Sequence, residues 1–497
     1  MALPTIDDID VTIVGHPWAP IGMGEQMRSH IMAGRAMMLN QRVYDVFRYA
    51  QRTDPAHAQI LEGLEVDVLP GGIRIFHING DEVEPVIAAI EARGGRFEDG
   101  YNIIVPAWEL PTYPAAWAEK LKRFDEVWAL SHFIAASLKA AGLGSHYTGQ
   151  SIEPLPGPLL PRRHFGIRES AFVFLTFFDL SSYATRKNPF AVLEMFERLR
   201  SERPYDDLQL VLKAKNGERG AEEWAASLPA NSQIKVIATP LDTLGVRSLI
   251  NACDCLVSLH RAEGFGRGPG EAMALGRLAL ATGWSGNVDF MTKDNSLLVE
   301  HGMTALNQGD YPHWEGQSWA EPSVEHAVSL ARPLLSDPTR GAALARRGQV
   351  EALRSHGNRA VGLRILARLQ EILVESPRFN PQATPPAPPA PPPPPPRVAA
   401  KPAIGNVAAC APKNEDYPAA AVRAEATGTT RVRFTVDATG KLSNAEVVKP
   451  AGSSREHRQL DRVALAKLSE CTFRPGNDET GKPVGGTFEV EYVWKLE

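Results

Sequence analysis

Two hydrophobic patterns alternate along most of the chain. Short, mostly apolar runs at 10–14, 73–78, 102–106, 171–177, 208–212, 234–239, 255–259 and 278–282 are rich in Val, Ile, Leu and Phe. Runs of this length and composition predict strands buried on both faces, as in a parallel sheet. Between them apolar residues recur every three or four positions, the spacing of amphipathic helices such as 241–252 and one starting near Glu271. Strands alternating with helices predict an α/β fold.

The pattern changes towards the C-terminus. Val361, Ile365, Leu366, Leu369, Ile372 and Leu373 form one apolar helical stripe, which must be covered, so this helix belongs to the folded part before it. From 376 to 402 proline and alanine take over. Such a linker populates polyproline II, and roughly 25 residues at ~3.1 Å each span up to roughly 80 Å. Beyond it, strand-like alternation at 429–437, a turn at Ala438, Thr439 and Gly440, a strand at 445–448, a helix at 460–468 and a last strand at 487–495 predict a small α+β unit.

At 497 residues the chain exceeds one core, and three domains are expected. A net charge of −5 without a long basic run argues against nucleic acid as a partner. The opening MALPTIDDID lacks the basic and apolar regions of an export signal, and no stretch reaches the roughly 18 apolar residues of a membrane span. The expected location is cytoplasmic, with peripheral attachment to the inner membrane left open. Cys253 and Cys255 fall in a predicted strand and read as core residues, since C-x-C without a second pair is weak evidence for zinc. Cys410 and Cys471 flank the last unit and could form a disulfide if it were oxidised, although a cytoplasmic setting argues for free thiols.

Chemistry concentrates after the 255–259 strand. Gly264, Gly266, Gly268 and Gly270, with Pro269, form a loop whose backbone can approach a ligand, and the following helix offers N–H groups to a phosphate or a sugar hydroxyl. Glu263 and Glu271 bracket the loop, the first at the strand's carboxyl end and the second in the first helical turn, both facing one crevice. Spacing alone leaves open whether they bind a ligand or whether Glu271 merely complements the helix dipole and Glu263 is solvated. Gly22 and Gly24, after the first strand, could cradle a diphosphate from the opposite side. His77, Asn79 and Glu109 sit at carboxyl ends of strands, where open α/β sheets collect ligands, although a lone histidine such as His77 after a strand is more often a hydrogen-bonded structural residue. Arg186 and Lys187 follow the 171–177 strand, where they could equally be an exposed pair at a helix start, and Lys213 follows the 208–212 strand.

The EGFG and EAMA elements between Glu263 and Gly276, followed by the 278–282 strand and by Ser285, Gly286 and Asp289, resemble the family 4 glycosyltransferases of the GT-B fold. The segment FDEVWALSHF from Phe124 resembles the same family. The resemblance implies two facing Rossmann-like domains, 1–165 on the acceptor side and 166–376 on the donor side, with a last helix that crosses back onto the N-terminal half. It implies transfer of a sugar from a nucleotide-sugar to a glycan, lipid or small-molecule acceptor, with retention of configuration and with neither metal nor cofactor. On this resemblance Glu263 contacts donor-sugar hydroxyls and Glu271 the ribose, with Gly264, Phe265, Gly266 and Arg267 beside the donor and Gly22 and Gly24 opposite. Arg186, Lys187 and Lys213 would stabilise the charge of the departing nucleoside diphosphate. His77, Asn79 and Glu109 become acceptor-side candidates. The chain departs from the family in two places: Arg267-Gly268 stand where Leu-Pro is usual, and Arg277-Leu278 where a residue-Pro pair is usual.

The last unit resembles the C-terminal domain of the TonB family, through Tyr417-Pro418, the alternating Val432, Phe434 and Val436, Phe473, Pro475 and Gly481-Lys482-Pro483. This implies a domain at 413–497 behind a linker at 377–412, and a protein or cell-envelope partner. Without an anchor or export signal, energy transduction is not implied. The alternative to an enzyme is a non-catalytic scaffold that presents this module.

Overall fold

Twelve parallel strands, in two sheets, carry the first unit of the computed structural model, which describes residues 10–179, 184–215, 233–381, 383, 403–407, 410–478 and 482–496. The N-terminal sheet contains β1 (Asp10–Gly15), β2 (Asn40–Asp45), β3 (Gly72–Phe76), β4 (Gly100–Ile104), β5 (Glu126–Ala129) and β6 (His146–Tyr147), in the order β2-β1-β3-β4-β5-β6. The second contains β7 (Phe172–Asp179), β8 (Leu208–Lys215), β9 (Ile234–Ile237), β10 (Cys255–Ser258), β11 (Leu278–Thr282) and β12 (Leu297–Val299), in the order β12-β11-β10-β7-β8-β9. Val11, Ile13, Val14, Ile73, Ile75 and Phe76 are all buried, so both faces of these strands are covered, as the unbroken apolar runs require. Strand order reverses at β1/β3 in one sheet and at β7/β10 in the other, which opens a crevice at the carboxyl ends of each pair.

The helix Asn358–Glu375 buries Val361, Ile365, Leu369, Ile372 and Leu373 in the same core as Met27 and Ile31 of the helix Gly22–Ala36. Leu366 is only partly covered. A Cβ on Gly362 would lie 2.4 Å from the Ala33 carbonyl oxygen, so glycine is what lets the two helices touch. Arg364 Nε donates to the Thr148 carbonyl at 2.6 Å, and Arg368 pairs with Glu126 at 2.7 Å. The last helix of the unit thus crosses back and packs on the N-terminal half.

The unit Met1–Pro385 is separate from Pro386–Glu497. Both ends of the segment 377–412, expected as a linker, are folded onto the unit beside them. Phe379 packs 5.9 Å from Tyr101 and Arg378 donates to the Glu98 carbonyl, because these side chains still find apolar and polar partners on the first unit. At the far end Ala403 is buried, and Ile404–Gly405 pairs with Phe473–Arg474. The proline-rich 384–402 lies outside the described residues.

The small unit is an antiparallel sheet in the order Leu442–Lys449, Gly428–Val436, Gly486–Trp494. The helix Arg455–Ser469 packs on it through Leu460, Ala464 and Leu468 against Val432, Phe434 and Trp494. The helix starts earlier than its apolar spacing suggests because Ser454 caps it, accepting from the His457 N–H. Cys410 and Cys471 form a disulfide, against the expectation of free thiols; the Ile404–Gly405 pairing brings their Cα atoms to 5.4 Å. Cys253 and Cys255 are buried core thiols, as expected. Among the described residues no helix is long and apolar enough to cross a membrane.

Candidate active site

The stretch after β10 is clamped from both sides. The Glu263 N–H donates to Ser285 Oγ at 3.0 Å, and the Gly286 N–H returns a bond to the Glu263 carbonyl at 3.0 Å. A Cβ on Gly286 would stand 2.1 Å from the Gly264 carbonyl oxygen, and one on Gly264 would stand 2.8 Å from that of Trp108, in the N-terminal half. Gly286 therefore lets two loops of the C-terminal half meet backbone to backbone, and Gly264 lets one of them meet the N-terminal half. From the N-terminal half Ser131 Oγ donates to the Gly264 carbonyl at 2.5 Å, and Asp289 accepts from the His132 N–H at 2.9 Å.

Gly266, at φ +90°, caps the helix Arg267–Ala274, which begins four residues before the expected start at Glu271. Pro269 does not prevent this, since the first N–H groups of a helix have no internal partner. Arg267 consequently heads the helix, and Glu271 lies a full turn inside it rather than in the first turn.

Glu263 is almost buried at the carboxyl end of β10 and faces two cations from the β7 loop. Lys187 Nζ pairs with Oε1, and Arg186 Nη1 lies 3.4 Å from Oε2 while also donating to the Ala262 carbonyl at 2.8 Å. Burial favours the neutral acid, but Lys187 and Arg186 outweigh it and hold the carboxyl at about 2. Arg186 is buried, so it is not the exposed helix-start residue that its position also allows. Its other side faces Glu109 of the N-terminal half at 3.9 Å and the Tyr311 ring at 5.8 Å, and Tyr311 donates to Glu109 Oε2 at 2.7 Å. Burial opposes the Arg186 charge, while Glu263 and Glu109 secure it.

At the other end of the loop, Glu271 pairs with Arg267, and Arg267 Nη2 reaches Glu25 Oε2 of the N-terminal half at 2.9 Å. Burial pushes the Glu271 carboxyl above its ordinary value; Arg267 counters this and Glu25 adds to it. For Glu25 burial is overcome by Arg267 and Arg28, and its carboxyl falls well below the ordinary range.

The remaining sequence candidates divide. Phe265 is buried against Phe290, 5.3 Å away, and supports the loop from below. A Cβ on Gly22 would meet nothing, whereas one on Gly24 would collide with the Ala19 carbonyl oxygen at 2.2 Å, so Gly24 serves its own loop. Lys213 lies inside β8, which runs on to Lys215, and its Nζ donates to the Ala214 carbonyl at 2.6 Å. His77 is fully buried, with Nδ1 3.0 Å from Gln26 Nε2, and burial lowers its pKa. Asn79 Oδ1 accepts from the Ala107 N–H at 2.9 Å and so joins two loops of the N-terminal half. Glu109 alone of the three acceptor-side candidates joins the Glu263 cluster, through Arg186. Tyr311 was not legible in the sequence: it lies between the ribbon strands His301–Ala305 and Ser318–Pro322, away from any glycine-rich loop or parallel-strand end.

Residues 172–308 match the profile of glycosyl transferases group 1, and residues 413–496 that of the Gram-negative bacterial TonB protein C-terminal domain. No curated protein sequence matches the chain. Among solved structures, Anabaena HepE in complex with UDP and glucose is 14% identical, covering 73% of this chain and 100% of that one with a TM-score of 0.53. Sucrose-phosphate synthase from Thermosynechococcus elongatus is 12% identical over 74% of this chain and 100% of that one, TM-score 0.52. A glycosyltransferase from Rickettsia africae is 13% identical over 74% and 99%, TM-score 0.52. The first unit has the GT-B fold of these transferases, and the small unit is a TonB C-terminal domain.

Proposed function

We propose that the first unit moves a sugar from a nucleotide-sugar donor to a hydroxyl-bearing acceptor, with retention of configuration and with cationic side chains in place of a divalent ion. One observation carries this reading: a carboxylate at the switch point of the C-terminal sheet, Glu263, is gripped by Lys187 and Arg186. An ionised carboxylate there accepts hydroxyl hydrogen bonds from a sugar, and the two cations beside it meet the charge that develops on a leaving diphosphate. Glu271 then takes the ribose, and Glu109, held by Tyr311 and Arg186, faces the acceptor. Retention rests on the resemblance to family 4 transferases. For the small unit, the TonB-type sheet and helix support binding of a protein or cell-envelope partner. Thermal unfolding with UDP, ADP and GDP tests the donor assignment, because a ligand bound only by the folded state raises the midpoint. At least one should raise it, and no shift with any of them contradicts the reading.

A further inference from the structure

Arg267 stands between carboxylates of opposite halves with one nitrogen uncommitted. Nε pairs with Glu271 and Nη2 with Glu25, while Nη1, on a side chain a third exposed, is itself out of solvent and has no hydrogen-bond partner among the described residues. A buried guanidinium N–H without an acceptor is costly, and at the head of the helix Arg267–Ala274 the missing acceptor would sit where backbone N–H groups and the helix dipole also favour an anion.

Glu25 is well fixed for such a role. It lies in the first turn of the helix Gly22–Ala36, with Arg28 Nη2 at 2.6 Å and His57 Nε2 at 3.7 Å from the same Oε1. Close by, Asp54 accepts from the N–H and hydroxyl of Thr243 at 2.8 and 2.7 Å, a second tie between the halves. Glu25 Oε2 is thereby aimed across the crevice at Arg267.

We propose that Glu25 is a positioning residue of the donor site: reaching across from the other half, it holds the Arg267 fork so that Nη1 meets a diphosphate oxygen while Glu271 accepts the ribose. This rests on the reading of Glu271 as the donor-ribose residue. It gives Arg267, which stands where the resembled family has leucine, a phosphate-recognising task that leucine cannot perform. It also makes the site complete only when the halves are together, so nucleotide binding and closure favour each other.

The two roles open to Glu25, phosphate positioning and a purely structural tie, differ in what they do to a nucleoside lacking phosphate. Calorimetry on the full chain would use UDP with uridine, ADP with adenosine and GDP with guanosine. For the base that binds, Glu25→Gln should weaken the diphosphate about tenfold, the scale of one charge-assisted bond, and leave the nucleoside unchanged. Equal weakening of both, or of neither, overturns the proposal and leaves the donor reading standing. Binding of no diphosphate to the unaltered protein overturns both. Should Glu25→Gln fail to fold, Arg267→Lys, which keeps the charge but not the fork, is read on the same ligand pairs with the same expected loss of discrimination.

Discussion

The two ends of the glycine-rich loop carry the same residue type in opposite charge balances. At Glu263 one carboxylate meets two cations, Lys187 and Arg186; at Glu271 one arginine is shared with a second carboxylate, Glu25. The first carboxyl is therefore held at about 2, and the second rises above its ordinary 4.5. Burial pushes both upward, so the difference comes from the ratio of cations to carboxylates. An end where two fixed cations converge on one carboxylate suits a step in which negative charge develops beside them. An end in which one fork is divided between two acids suits recognition by hydrogen bonds.

The largest expected effect comes from removing what holds both ends in place. Five buried side chains of the helix Asn358–Glu375, at ~1.5–3 kcal/mol each, amount to a stability comparable with that of a whole domain. A chain ending after Ala352 should aggregate or melt far lower, whereas one ending after Pro385 should keep the midpoint and turnover of the first unit. Equal melting of the two would remove the crossover helix from the account.

Next in size, Glu263→Gln should lower turnover by about 10²–10³-fold while nucleoside diphosphate affinity changes little, because in the proposed site this end takes the sugar. Steady-state kinetics beside calorimetry separates the two effects. Glu271→Gln should do the reverse, weakening the diphosphate by ~1–3 kcal/mol with turnover at saturating donor largely kept. If both variants lose affinity and turnover alike, the two ends are not distinct.

The smallest effects lie in pH. The lowered Glu263 carboxyl contributes stability above pH 4.5 that is lost as pH falls through about 2. The raised Glu271 carboxyl has the opposite sign: its ionisation costs stability, and the cost appears as pH rises through its raised value. Denaturant melts across pH should therefore show Glu263→Gln losing stability relative to the unaltered protein as pH rises from 2 to 4.5, and Glu271→Gln gaining it at somewhat higher pH. Parallel curves for the two variants would contradict the charge balance described here.

Much of the first unit was legible in the sequence because a strand buried on both faces leaves an unbroken apolar run. That the last helix is covered was legible from its apolar stripe, and its crossing back onto the N-terminal half from the resemblance. The start of the helix after the loop was misjudged, since four glycines and a proline suggest a loop, whereas Gly266 in the left-handed region lets the helix begin at Arg267. Glu263 and its cations were legible from local motifs. Tyr311 and the disposition of Glu25 against Arg267 were not, because both arise from contacts between residues some 200 or more positions apart. His77 was open to two readings, since a histidine beyond a strand end resembles a ligand but is more often structural; the packing around β1 and β3 buries it completely.

The most direct test of the central claim is release of nucleoside diphosphate from a panel of UDP-, ADP- and GDP-sugars, with water taking the sugar in place of the acceptor hydroxyl, by the unaltered protein and by Lys187→Ala, with chelator present. The account predicts release from at least one donor, slowed about 10²–10³-fold in the variant as expected when a fixed cation at the leaving group is lost. No release from any donor by folded protein, or release that Lys187→Ala leaves unchanged, would contradict it.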